Sequence, residues 1–213
     1  YDFPVYIVLG IWGFPLWIVC SKFGIEETSD MWTMLYSKSV YIAALLIVVY
    51  LIYKVCRNIG VDDAMAKWAG FLFLSSEMVF VQIGIAGQLD VFGMPFTLLA
   101  IYSFQNKNRW RFLLFFSIAV SFKQFPLFIF LPLVMLIEKN ALKIALDTVI
   151  VFAVTILSGL PFPKGTEAMQ VKDEVRGHFM QAFLGVKAPL HNSAVPIIVL
   201  LIGGICVFCY LKN

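Results

Sequence analysis

The chain of 213 residues is 61% hydrophobic, carries only 14% charged side chains and has a mean hydropathy of +0.89, whereas a soluble domain is about a quarter charged. Long apolar runs separated by short charged clusters exclude an ordinary soluble domain and predict a chain that alternates between lipid and water. The net charge of +3 is spread over many loops, which excludes a nucleic-acid partner and leaves charge to set orientation in a membrane.

The chain opens on Tyr1-Asp2-Phe3-Pro4 without an initiator Met or a basic region ahead of the first apolar stretch. It does not read as a signal peptide, and a further segment upstream is expected. Residues 3–20 raise a parity problem, because Asp2 and the acidic group Glu26, Glu27 and Asp30 both belong outside. Gly10, Gly13 and Pro15 offer a bend. The stretch reads as a re-entrant or interfacial pair of short helices, with one tilted full span as the alternative.

Clear spans follow at 39–53, 69–86, 91–105, 144–160 and 194–211, each crossing or nearly crossing ~30 Å of hydrocarbon at about 1.5 Å per residue. Basic residues flank them as four clusters: Lys54, Arg57 and Lys67; Lys107, Arg109 and Arg111; Lys139 and Lys143; and Lys212. Placing all four inside puts the majority of the chain's 16 basic residues in short cytoplasmic segments, as the positive-inside rule requires. By parity 69–86 runs outward to Gly87-Gln88-Leu89-Asp90, 91–105 returns, 144–160 runs outward, 161–193 is an external loop and 194–211 returns.

The stretch from Arg111 to Glu138 begins and ends inside, so it goes out and back on arms of only about 18 Å each. Its apex, Phe122-Lys123-Gln124-Phe125-Pro126, is therefore expected within the membrane's thickness, with Pro126 breaking the helix. Irregular backbone at that depth is tolerated only inside protein or along a water-filled cavity, so a solvated pocket opening outward is expected. The fold class is an all-α polytopic bundle of about seven or eight membrane segments, short and re-entrant ones included, forming one transmembrane domain over 1–213.

An ionisable group at a helix centre costs at least ~2.5–3.5 kcal/mol in a membrane, so each needs a partner or a purpose. Asp90 reads as the N-cap of the returning helix and as a catalytic or substrate-binding carboxylate; the two roles are compatible. Lys123, at the apex, reads as a side chain that snorkels or pairs with Asp90, or as a cation held for a phosphate. Gln88 and Gln124 add neutral donors and acceptors beside these charges. Glu77, near Ser75 and Ser76 within 69–86, reads as a structural hydrogen-bonding group. In the external loop, His191 and Asn192 stand at the mouth of the last span as candidate substrate contacts. Cys20, Cys56, Cys206 and Cys209 lie in or beside apolar segments and read as small hydrophobes. No metal and no cofactor are expected. Walker A, dinucleotide, HExxH and nucleophile-elbow patterns are all absent from the sequence.

Taken in order, Tyr1-Asp2-Phe3-Pro4-Val5-Tyr6, Gly87-Gln88-Leu89-Asp90, and Ser121-Phe122-Lys123-Gln124-Phe125-Pro126 followed by Leu131-Pro132-Leu133 resemble bacterial membrane glycosyltransferases of the GT-C superfamily. The nearest resemblance is to the mannosyltransferase-related group similar to the GPI mannosyltransferases, and it covers roughly residues 1–140. It implies a GT-C-like bundle in the bacterial plasma membrane that moves a hexose such as mannose from a polyprenyl-phosphate donor to a glycan or lipid acceptor on the outer face. Such enzymes place an acidic general base in a first external loop ahead of the Pro-aromatic segment. That loop and a preceding span are not in this sequence, which leaves Asp2 beside Asp90 as a candidate catalytic carboxylate. The physical roles fit: a carboxylate takes the acceptor's proton, and Lys123 stabilises the departing phosphate. A transporter or lipid flippase with a mid-membrane polar site is the alternative from another class, and a non-catalytic membrane subunit is a third.

Overall fold

The computed structural model describes residues 3–24, 31–79, 81, 89–159, 187–190 and 193–212. Their regular elements are helices apart from one two-stranded antiparallel ribbon, β1 (Lys187–Leu190) with β2 (Ser193–Pro196), paired from Lys187 opposite Pro196 to Leu190 opposite Ser193. The helices are α1 (Phe3–Phe23), α2 (Met31–Asn58), α3 (Asp63–Leu74), the single turn α4 (Glu77–Val79), α5 (Met94–Gln105), α6 (Arg109–Phe122), α7 (Leu127–Ile137), α8 (Ala141–Gly159) and α9 (Ile197–Lys212). A 3₁₀ turn, Leu89–Phe92, precedes α5. Among the described residues, α1 and α2 are the two helices both long and apolar enough to cross a membrane. The chain divides into two compact units, Tyr1–Pro126 with Val149–Gly159, and Leu127–Thr148 with Leu160–Asn213.

In the first unit α1 is one continuous helix of 21 residues, not the pair of short helices expected from Gly10, Gly13 and Pro15. Proline removes one backbone donor, here the one that would serve the Ile11 carbonyl, and crowds the preceding turn, yet packing against a neighbouring helix can keep such a segment helical. The neighbour is α2, whose Tyr36 hydroxyl donates to the adjoining Trp12 carbonyl at 2.8 Å. The Trp12 indole N–H in turn donates to Ser39 Oγ at 3.2 Å.

The span expected at 69–86 stops instead at Leu74, giving α3 only 12 residues, about 18 Å of helix. Ser75 N–H closes on the Phe71 carbonyl and Ser76 N–H on that of Phe73, the tightened pattern of a helix end. Adjacent serines weaken continuation because their hydroxyls compete for local backbone groups. Glu77 consequently lies in the first turn of α4 and is exposed, not central to a span. The start of α3 is well capped: Asp62 accepts from Met65 N at 3.1 Å. Beside it Lys67 lies 2.6 Å from Asp63, and the Tyr53 hydroxyl of α2 donates to the same carboxylate at 2.9 Å. The Lys67 ammonium first, and the Tyr53 hydroxyl second, hold the Asp63 carboxyl below the usual range.

Helices α2, α3, α5 and α6 pack as the body of this unit. Asn58 Nδ2 donates to Gln105 Oε1 at 2.9 Å, so α2 and α5 finish together, and the Asn106–Asn108 turn starts α6 beside them with Asn108 capping Arg111 N. The basic clusters Lys54, Arg57, Lys67 and Lys107, Arg109, Arg111 thus gather at one end of the unit. Phe112, Phe116, Ala119 and Val120 of α6 are buried. Phe112 meets Phe116 edge to face at 5.0 Å and Phe104 of α5 at 5.7 Å, an arrangement that favours both ring quadrupole and packing terms. At the opposite end Val5, Val40, Ala44, Val79, Val91, Phe92 and Phe122 form a second buried cluster.

In the second unit α7 packs against α9, and the Tyr210 hydroxyl of α9 donates to the Lys139 carbonyl at 3.0 Å. Cys206 and Cys209 on α9 are buried. The expected span at 194–211 is shorter than its apolar run suggests. Residues 193–196 pair as a strand and the helix starts only at Ile197, because Pro196 lacks the N–H and fits the first positions before a helix far better than its interior.

Candidate functional site

Asp90 and Lys123 are brought together. Lys123 Nζ lies 2.5 Å from both carboxylate oxygens of Asp90, across 33 positions of sequence. Each residue stands at a break in regular helix. Asp90 is the second residue of the 3₁₀ turn Leu89–Phe92. Lys123 is the C-cap of α6 with extended backbone, φ −161° and ψ 149°. The flanking residues explain why these breaks are fixed: Val91, Phe92 and Phe122 belong to the buried cluster, with Tyr41 against Phe92 at 5.4 Å and Phe96 stacked on Phe122 at 5.5 Å. Apolar neighbours hold the backbone while the charged side chains meet at its margin, each about a third exposed (Lys123 38%, Asp90 33%).

Gly93 lets the turn approach α6. A Cβ there would stand 3.3 Å from Phe122 Cβ and 3.5 Å from the Ala119 carbonyl oxygen. Substitution of Gly93 by Val adds branched bulk at this contact and is expected to destabilise the protein by about 1–3 kcal/mol, as overpacking does. A thermal unfolding series in detergent with Gly93→Ala as the milder step measures it; equal midpoints for all three proteins would disprove the tight approach.

Asp90 does not cap α5, contrary to the sequence expectation. That position is Gly93, which offers no side-chain bond, and Pro95 follows in the first turn. The Asp90 main-chain carbonyl accepts from Gly93 N at 3.2 Å while its carboxylate goes to the ammonium. The ammonium engages both carboxylate oxygens and carries a full opposite charge, whereas a backbone N–H at a cap would engage one oxygen with an uncharged donor.

Phe125 was not singled out in the sequence, yet Lys123 Nζ sits 5.0 Å from its ring centroid, within the range of a cation–π contact. Gln124, between them, is exposed. Gln88, Asp2, His191 and Asn192 lie outside the described residues. A further carboxylate passed over in the sequence is Asp147 of α8, only 3% exposed; its signal was available as an acid inside the apolar run 144–160.

Two cavities among the described residues lie away from the apex. One of about 230 Å³ is lined by Tyr102, Ser103, Asn106, Asn108 and Arg111 at the α5–α6 turn. The other, about 320 Å³, lies between α2 and α3 with Leu46, Tyr50 and Lys67 in its wall. Among the described residues no group of three or more His, Cys, Asp or Glu side chains is placed to hold a metal ion. The Asp90–Lys123 pair therefore offers a carboxylate and an ammonium in one partly open place, a base and an anion-binding group side by side. Compared with protein families, curated proteins and solved structures, the chain finds no match.

Proposed function

We propose that this chain belongs to a multi-pass glycosyltransferase of the bacterial plasma membrane, similar to the GT-C mannosyltransferase-related group. In this reading it transfers a hexose such as mannose from a polyprenyl-phosphate donor to a glycan or lipid acceptor on the outer face. The observation that carries it is the Asp90–Lys123 pair at two adjoining helix breaks. The two chemical tasks of the transfer need those two groups. The acceptor hydroxyl loses its proton to a carboxylate as its oxygen bonds to the anomeric carbon. The bond from that carbon to the phosphate oxygen breaks, its electron pair leaves with the phosphate, and Lys123 stabilises that charge. Asp90 takes the proton in this scheme, with Asp2 as the other acidic candidate. Gln88, Gln124, His191 and Asn192 are candidates for holding sugar hydroxyls.

The lipid surroundings are supported by exposed apolar side chains along α1 and α2, among them Ile11, Phe14, Trp17, Ile42 and Leu46. The full-length protein in detergent, supplied with polyprenyl-phosphate sugars, is expected to consume the donor and release polyprenyl phosphate. An intact donor after prolonged incubation with acceptor would sink the transferase reading in favour of a carrier.

Orientation has its own test. The shared basic end of the first unit points inward under the positive-inside rule. A single cysteine introduced by Asn108→Cys, at the turn between α5 and α6, is expected to resist a membrane-impermeant thiol reagent in intact cells and to react after permeabilisation. Labelling of intact cells would invert the topology.

A further inference from the structure

A phosphate-binding lysine that already holds a carboxylate is not an empty site. Lys123 Nζ faces both oxygens of Asp90, and the Phe125 ring stands 5.0 Å from the same ammonium as a cation–π partner. The backbone on both sides of the pair is anchored in the same buried cluster, through Val91 and Phe92 next to Asp90 and through Phe122 next to Lys123. Neither charge can therefore withdraw far, whereas the side chains themselves, a third exposed, are free to turn. We propose that Asp90 is the resident occupant of an anion site, and that a phosphate group from the ligand takes its place on Lys123. The choice of phosphate rests on the transferase reading above; the exchange itself rests on the geometry.

The exchange joins two events. While Asp90 sits on the ammonium, both its oxygens are turned to Lys123 Nζ and not to an acceptor hydroxyl. Arrival of a phosphate on Lys123 releases it beside the bound ligand, at the moment when an acceptor proton has to be taken up. Base and phosphate site are thus coupled by a shared cation, and the base is unmasked only when the donor is present. Such coupling needs no movement of helices, only a rotation of side chains that are already partly in water.

Removing the Asp90 carboxylate is therefore expected to improve binding. A partly exposed ion pair is weak, so displacing it weakens the incoming anion only moderately, and Asp90→Asn is expected to tighten farnesyl phosphate binding by about fivefold. Titration of the full-length protein in neutral detergent with farnesyl phosphate measures this, with Asp90→Ser as a second variant that also lacks the charge. Lys123→Gln is expected to remove the gain when combined with either. Farnesol, which has no phosphate, should bind all variants alike.

Unchanged or weaker farnesyl phosphate binding by both Asp90 variants would overturn the exchange. So would a gain that persists with Lys123→Gln or appears equally with farnesol. Sugar transfer is scored separately: tighter phosphate binding in a protein that consumes no donor supports the exchange and defeats the transferase reading, while donor turnover without any gain on removing Asp90 does the reverse.

Discussion

Replacing Lys123 by Ala is expected to lower donor turnover by about 10²–10³-fold, the cost of removing one charge-stabilising group from a transition state. The fold should survive. A partly exposed ion pair contributes about 1 kcal/mol or less, and Phe122, the residue that anchors this end of α6, is untouched and buried. The measurement is release of polyprenyl phosphate from a labelled donor, alongside thermal unfolding of the same preparation. Turnover equal to wild type would remove Lys123 from the phosphate. A matched loss of turnover and of folded protein would reduce the pair to a structural contact. Lys123→Arg keeps the charge but presents a wider, planar group, so partial activity in that variant would separate a need for charge from a need for the compact ammonium.

Phe116→Ala is expected to have the largest effect on stability. Phe116 is fully buried on α6, against Phe112 and between the turns that carry Ala119 and Val120. In lipid the transfer of an apolar side chain contributes little, since the surroundings are as apolar as the core. The cavity term remains, and an unfilled phenyl-sized space costs about 2–3 kcal/mol at the dependence measured for buried truncations. Unfolding of the detergent-solubilised protein by a graded denaturing detergent reads the loss, and Phe116→Leu should recover most of it. An Ala variant as stable as wild type would mean that the surroundings of Phe116 are loosely packed, contrary to its complete burial and its ring contact with Phe112 at 5.0 Å.

Asp90 and Lys123 stood out in the sequence as the charges to be explained. An acid and a lysine isolated in apolar sequence have few ways to be accommodated, and their pairing was one of those the sequence left open, beside snorkelling and a phosphate site, while the break at Lys123–Pro126 follows from proline and the short arms. Helix α2 was equally plain, a long apolar run with basic residues at its end. What stayed hidden depends on partners far away in sequence. Pro15 suggests a break when its own stretch of chain is considered alone; the packing of α1 on α2, with Tyr36 donating to the Trp12 carbonyl, is a distant contact that local pattern cannot show. Asp90 carries the ordinary preferences of a helix cap, and an ammonium 33 residues on outcompetes the backbone for it. The serines at 75 and 76 do carry a local signal, but the apolar residues around them mask it in any reading based on hydropathy. Asp147 was passed over although it stands inside the apolar run 144–160, where an acid is costly, and its side chain is buried.

The Trp12, Tyr36 and Ser39 contacts fix more than the continuity of α1. They set its rotation about its own axis against α2, and a helix turns about 100° per residue. Val5 lies two turns from Trp12 on the same helix and belongs to the cluster that backs Phe92 and Phe122, whereas Tyr6, next along, is exposed. The contact at Trp12 thus acts as a dial whose setting selects which residue of α1 faces the apolar backing of the Asp90–Lys123 pair. One inserted residue between Val5 and Trp12 would turn Val5 away from Phe92 and Phe122, without altering either charged side chain.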